Sequence, residues 1–244
     1  MKKSFFKFSL TLNIIFASLA VIFSLVYYYY SSRVYDGESF LVFLSYLKTF
    51  FDLLAVFVGY TTIIYAFSQF DFYNGIISIG TFSVSFLIAF VFQVVGTCIA
   101  TTSEFQSTFV VYTIFYSFGQ GFITQMIPAL IIGAIAYKMT KDKNESITSF
   151  FSWKNSTTKA IIVITLVVFA LNLLSNTAFV VLPDFISEMS DYGSITREHL
   201  KSIVLSYVDV VIFFFVMQYL MYYFVYRIYD NYAISHKEKR VKVN

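Results

Sequence analysis

Hydrophobic residues in this chain fall into six long runs separated by short polar stretches. Each run holds about the 20 apolar residues that a helix needs to cross a hydrocarbon core about 30 Å thick. The runs cover residues 8–30, 48–67, 76–100, 110–137, 160–182 and 203–228. We therefore predict an all-α polytopic membrane protein, a bundle of six transmembrane helices that forms one domain over residues 1–244.

Composition supports this class. The 244 residues are 58% hydrophobic and 13% charged, whereas an ordinary soluble domain is about 25% charged. The runs are continuous rather than alternating, which excludes barrel strands, and lipid offers an open backbone no hydrogen-bond partner. The lipid bilayer is thus the first expected partner.

Positive charges fall on alternate sides of the predicted spans. One side holds Lys2, Lys3, Lys7, Lys138, Lys141, Lys143, Lys154, Lys159, Arg227, Lys237, Lys239, Arg240 and Lys242. The other side holds only Arg33, Lys48, Arg197 and Lys201. By the positive-inside rule we predict a cell-membrane protein with cytoplasmic N- and C-termini. Membrane orientation already explains the basic tail, so no nucleic-acid partner is expected.

Polar side chains inside the spans are the candidate site, because placing them in hydrocarbon is costly. Six of them share the outer half of the bundle and form the predicted solute-binding pocket: Asp52, Gln93, Gln120, Asn172, Asn176 and Asp209. Gln125 and Gln218 fall in the inner half.

Each polar residue has a plainer interpretation. Asn172 and Asn176 lie one turn apart and could hold helices together rather than bind a ligand. Lys48 and Asp52 have the same spacing and could pair at the outer surface. Asp209 has no basic residue within a turn on its own helix, so it is the strongest single candidate for function.

The fourth run contains Gly119, Gly121 and Pro128, which weaken a helix and remove one backbone hydrogen bond. Interrupted helices at this depth form binding sites in transporters. A proline kink satisfied by neighbouring helices is the alternative.

Three connecting segments carry apolar residues among polar ones. Residues 138–159 have Ile147, Phe151 and Trp153 at helix-like intervals, which predicts an amphipathic surface helix or a docking element for a cytoplasmic partner. Residues 38–47 and 184–201 are long enough for short helices over the outer mouth, either as a lid or as surface packing. Tyr222, Tyr223, Tyr226 and Tyr229 are interpreted as anchors at the inner membrane interface.

Several functions are disfavoured by missing motifs. The chain has no His-Glu-x-x-His, no Gly-x-Ser-x-Gly and no Gly-x-x-x-x-Gly-Lys sequence, and neither histidine lies in a predicted span. We therefore expect neither an enzyme nor a metal site or other cofactor, and no hydrolysis of ATP by the chain itself.

The chain resembles the substrate-capturing membrane subunits of vitamin and cofactor uptake systems. The resemblance lies in the number of spans, the length of the chain and the polar residues in the outer half of the bundle. The chain equally resembles small permease subunits of ATP-driven exporters. The resemblance implies a transport or solute-binding subunit that works with a cytoplasmic ATPase or other membrane subunits, on a solute that the sequence leaves open. The alternative is a non-transporting scaffold or assembly protein, whose amides only hold helices together.

Overall fold

Every regular element in the described part of the chain is a helix. The computed structural model describes residues 2–31, 38–100, 118–119, 121–140, 143, 145–147, 149, 151–192, 196–209 and 215–241. The helices are α1 Lys2–Ser31, α2 Glu38–Gln69, α3 Phe72–Ala100, α4 Ile127–Met139, α5 Ser156–Asn176, α6 Leu182–Tyr192, α7 Arg197–Asp209 and α8 Phe215–Val241. The π-helical turns Phe122–Met126 and Thr177–Val181 lead directly into α4 and α6.

Five described helical stretches are long and apolar enough to cross a membrane. They are Lys3–Tyr27, Ser39–Gln69, Phe72–Phe92, Phe122–Met139 and Ser156–Ser175. These stretches match the first five predicted runs, and the all-helical class is confirmed for the described residues. The sixth predicted run includes residues 210–214, which lie outside the described part of the structure. The six-span count therefore stays a prediction.

Helix α2 is the centre of the bundle. It packs against α1, α3, α4 and α8, while α5 packs against α4 and α8. Every residue from 58 to 68 is buried. A helix buried on all sides needs partners all round its circumference, so this segment dictates where its neighbours lie. We call the end of the bundle where α1 begins and α2 ends the proximal end, and the opposite end the distal end.

Tyrosines of α8 meet the polar groups of this buried segment. Tyr229 hydrogen-bonds through its hydroxyl to Thr62 Oγ1 at 3.0 Å and to Ser9 Oγ of α1 at 3.2 Å. The Tyr226 hydroxyl lies 2.7 Å from Ser68 Oγ, and Tyr222 accepts from Gln218 Nε2 at 3.0 Å. A buried hydroxyl without a partner is costly, so each contact removes a penalty as well as adding a bond.

The interpretation of this tyrosine group as interfacial anchors is wrong for three of its members. Tyr222, Tyr226 and Tyr229 are each 0% exposed. Their spacing of four and then three residues puts them on one helix face, and that face meets α2 rather than the membrane surface. Tyr223, which lies off this face, is only partly buried.

The segment between α4 and α5 is not the predicted amphipathic helix. Its described residues form turns and extended chain, and Ile147 is completely buried. Its backbone is bonded to other helices: Arg227 donates to the Ile147 carbonyl at 2.7 Å, and Gln69 donates to the Glu145 carbonyl. We call residues 143–155 the proximal strap.

The strap also caps α5. Asn155 accepts from the Thr158 amide at 2.9 Å as the N-cap residue. The Glu145 carboxylate accepts from the Ser156 amide at 2.9 and 3.0 Å, so a negative charge sits at the positive end of the helix dipole. Lys143 reaches back to donate to the Phe67 carbonyl at 2.7 Å. Partial burial lowers the pKa of Lys143, and nearby Asp71 opposes this shift.

Both predicted outer segments contain helix in their described parts, but the first is not a separate short helix. Residues 38–47 form no separate helix, because α2 begins at Glu38 and continues without interruption to Gln69. Residues 184–201 form most of α6 and the start of α7 in their described parts. His199 Nδ1 of α7 lies 2.9 Å from the Glu188 carboxylate of α6, which ties these two helices together.

Gly59 allows α2 and α3 to approach closely. A methyl group at this position would overlap the ring of Phe82, which is itself buried. Gly59→Ala should therefore destabilise the fold by about 1–3 kcal/mol, seen as a lower unfolding temperature in mild detergent. Gly80→Ala is the matched control, because nothing lies within 4 Å of its added methyl group. Equal unfolding temperatures for the two variants would contradict this helix contact.

Removing the Glu145 carboxylate should loosen the strap. Glu145→Ala leaves the Ser156 amide without this acceptor, a loss of about 0.5–2 kcal/mol for a helix cap. Trypsin cleavage within residues 138–159 should then be faster than in the parent protein. Ser149→Ala, at an exposed strap position, should leave the cleavage rate unchanged. An unaltered rate in Glu145→Ala would show that the strap does not depend on this cap.

Candidate functional site: a polar cavity in the distal half

A cavity of about 280 Å³ lies between α1, α2, α3 and the turn before α4. Its walls combine small side chains, phenylalanine rings and a few polar groups. The polar residues in its lining are Asn13, Ser24, Lys48, Asp52, Ser85, Thr124 and Gln125. It lies on the distal side of the buried segment of α2, in a bundle otherwise filled with aromatic and aliphatic side chains.

Helix α1 contributes one continuous stripe to this cavity. Asn13, Ala17, Ala20 and Ser24 follow each other at intervals of four, three and four residues, which places them on one helix face. Asn13 Nδ2 donates to the Ala55 carbonyl at 2.7 Å, and this bond orients the amide group. The small alanines between the two polar residues leave the open space.

Helix α2 contributes two opposite charges. Lys48 and Asp52 both line the cavity and lie one turn apart. Asp52 is exposed and Lys48 is partly buried, so the cavity opens at this part of its wall. The two formal charges cancel, and the lining as a whole has no net charge.

Three polar atoms in the lining are buried without a hydrogen-bond partner. They are Asn13 Oδ1, Ser24 Oγ and Ser85 Oγ, and each of these residues is 4% exposed. Leaving such an atom unpaired costs about 1–3 kcal/mol, so native proteins rarely do so. Three residues with such atoms in one lining make this cavity the candidate site.

The fourth wall is an interrupted helix. The π-helical turn Phe122–Met126 is followed by Pro128, which has no amide hydrogen to donate to the carbonyl of Thr124. The hydroxyl of Tyr60 on α2 donates to the Gln125 carbonyl at 2.9 Å and lies 3.4 Å from the Thr124 carbonyl. The break predicted from Gly121 and Pro128 is present, and a neighbouring helix satisfies it. π-helical turns are often found at functional sites.

Of the six residues predicted for the pocket, Asp52 lines this cavity. Asn172 is exposed on α5 and is absent from the lining. The other four have side chains outside the described part of the structure: Gln93, Gln120, Asn176 and Asp209. Their roles stay predictions.

Sequence reasoning missed most of the lining. Asn13, Ser24 and Ser85 were not among the predicted pocket residues, and Gln125 was placed in the inner half. The signal that would have found them is a helix face on which small residues alternate with polar ones. Asn13 alone was a strong indicator, because an amide inside a span needs a partner.

No metal centre is present among the described residues, where no group of three or more histidine, cysteine or acidic side chains could hold an ion. The described residues form an all-helical structure with a polar cavity between candidate membrane-spanning helices. No family model, curated protein or solved structure matches the chain.

Tyr60→Phe should destabilise the fold by about 1–3 kcal/mol, because the carbonyls beside Pro128 lose their buried donor. In a Pro128→Ala background the same change should cost less, since the alanine restores an amide that can donate to the Thr124 carbonyl. Unfolding of the four proteins in detergent gives this double-mutant cycle. Strictly additive changes in the free energy of unfolding would show that Tyr60 does not stabilise the interrupted helix.

Proposed function

We propose that this chain is a transport or solute-binding subunit of a cell membrane, and that the distal cavity is its solute site. The observation that carries the proposal is the group of three buried, unpartnered polar atoms, Asn13 Oδ1, Ser24 Oγ and Ser85 Oγ, which line one cavity. A purely structural bundle gains nothing from such atoms, whereas a solute that bonds to them recovers their cost.

The interrupted helix beside the cavity supports the same function. A weak helix can change shape as a site opens and closes. Gly121, Thr124 and Gln125 all belong to the cavity wall.

In this proposal residues 203–228 form the sixth span, both termini are cytoplasmic and the cavity opens outward. The distribution of lysine and arginine supports this orientation. The chain would work with a cytoplasmic ATPase or with other membrane subunits. Gln93, Gln120, Asn176 and Asp209 stay predicted members of the solute site.

The rival function is a membrane scaffold without a solute. The exposed amide of Asn172 on α5 favours it, because a polar group on an outer helix face suits a contact with another membrane protein. In that case Asn172→Leu should weaken assembly with partner proteins and leave the cavity unaffected.

The two functions predict opposite changes in unfolding temperature when the Ser85 hydroxyl is removed. If the cavity is a solute site, Ser85→Ala in the solute-free protein should unfold at the same temperature or a higher one, because the unpaired hydroxyl is removed. Ser9→Ala is the matched control. Ser9 is also buried, but it bonds to Thr62 and Tyr229, so its loss should cost about 0.5–1.5 kcal/mol.

The same variants test binding. Mass spectrometry of small molecules released from the purified protein should find a bound species in the parent and in Ser9→Ala that is depleted in Ser85→Ala. A Ser85→Ala protein that is clearly less stable than the parent, together with no released species from any variant, would reject the solute site and support the scaffold.

A further inference from the structure

A second hollow adjoins the polar cavity. It is a groove of about 210 Å³ between α1 and α3, and its lining is apolar apart from Ser18 and Ser85. Ala17, Val21, Ser85 and Ala89 belong to the walls of both hollows. The two spaces therefore lie on either side of the same few residues, three of which have small side chains.

The groove faces outward along α1 and α3. Ile22 is 52% exposed and Phe92 is 60% exposed, and both belong to helical stretches that are long and apolar enough to cross a membrane. Hydrocarbon chains of a bilayer would therefore reach the groove directly. The polar cavity, by contrast, opens beside Asp52 of α2.

We infer that the site takes a single-chain amphiphile, with an uncharged or zwitterionic head group in the polar cavity and its hydrocarbon chain in the groove between α1 and α3. This inference rests on the proposed solute-binding function and names the chemical class of the solute.

The chemistry of each part fits this ligand. Asn13, Ser24 and Ser85 present unpartnered oxygens that can accept from hydroxyl or ammonium groups, and the two serines can also donate. Lys48 and Asp52 cancel in charge, which favours a head group without net charge. The groove has only two hydroxyls, so it gains from apolar contact and offers little to a polar solute.

The shared wall also gives a route. A molecule dissolved in the bilayer can bring its chain in sideways between α1 and α3, while the head passes Ala17, Ser85 and Ala89. Because these side chains are small, a larger residue at one of them should obstruct this route.

The test uses the full chain in lipid nanodiscs with a long-chain monoacylglycerol that carries a diazirine in its acyl chain. Photolabelling of α1 and α3 around the groove should be saturable and should be competed by unlabelled monoacylglycerol. Nonspecific labelling of lipid-facing residues is not saturable. Palmitate, whose head is anionic, should compete more weakly than the monoacylglycerol.

Ala89→Leu should lower the saturable labelling by about tenfold, the loss expected from overpacking the shared wall. Ala170→Leu makes the same exchange at an exposed position on α5 and should leave labelling unchanged. Both variants are first checked for a parent-like unfolding temperature, and Ala89→Ser replaces Ala89→Leu as a milder obstruction if the latter fails to fold.

Non-saturable labelling, or equal labelling of Ala89→Leu and Ala170→Leu, would overturn the amphiphile inference. If a released small molecule is still depleted in Ser85→Ala, the solute site stands and its ligand is a different class of molecule. If that species is absent as well, the proposed function and the amphiphile inference both fail. Stronger competition by palmitate would overturn the uncharged head group.

Discussion

The bundle depends on the complete burial of residues 58–68 of α2. A membrane helix packs by close contact and by polar groups that find partners, because lipid is as apolar as the helices themselves. Here Thr62 and Ser68 point into neighbours and are met by Tyr229 and Tyr226 of α8. Ser9 brings α1 to the same cluster. These bonds fix the positions of α1 and α8 against α2. The proximal strap is held at the end of α2, where Gln69 donates to it and the Phe67 carbonyl accepts from it.

The two halves of the bundle treat polar groups in opposite ways. In the proximal half the buried hydroxyls of Thr62, Ser68 and Ser9 are paired with partners on other helices. In the distal half Asn13, Ser24 and Ser85 keep unpaired oxygens around an open cavity. These two sets of side chains differ in whether another helix pairs them, although Thr157 Oγ1 beside the proximal strap is also buried without a hydrogen-bond partner. Tyr60 lies at the boundary, where it supports the interrupted helix on the cavity's edge.

The five candidate membrane-spanning helices could be predicted from sequence because apolar length alone defines them. Their packing could not, because lipid-facing and buried positions are both apolar and leave no contrast around the helix. The only sign in the sequence that Tyr222, Tyr226 and Tyr229 are buried is that they share one helix face. Because tyrosine is common at membrane interfaces, this group was interpreted as interfacial anchors instead. Ile147 has apolar neighbours at helix-like intervals in sequence, yet its described segment has no regular secondary structure and is bonded to Arg227 and Gln69 of other helices. Asp52 was found because a charge inside a span is rare. Ser24 and Ser85 were missed because single serines are common in helix contacts, and only their convergence in space distinguishes them.

The contrast between a paired proximal half and an open distal cavity is tested most directly by cysteine accessibility. The single native cysteine, Cys98, is first replaced by serine, and Ser85→Cys and Ser9→Cys are then made in that background. Intact cells are treated with a charged, membrane-impermeant methanethiosulfonate reagent. We predict rapid modification of Ser85→Cys from outside the cell and protection of Ser9→Cys. Equal protection of both, or faster reaction of Ser9→Cys, would contradict the account of a packed base beneath a water-accessible site.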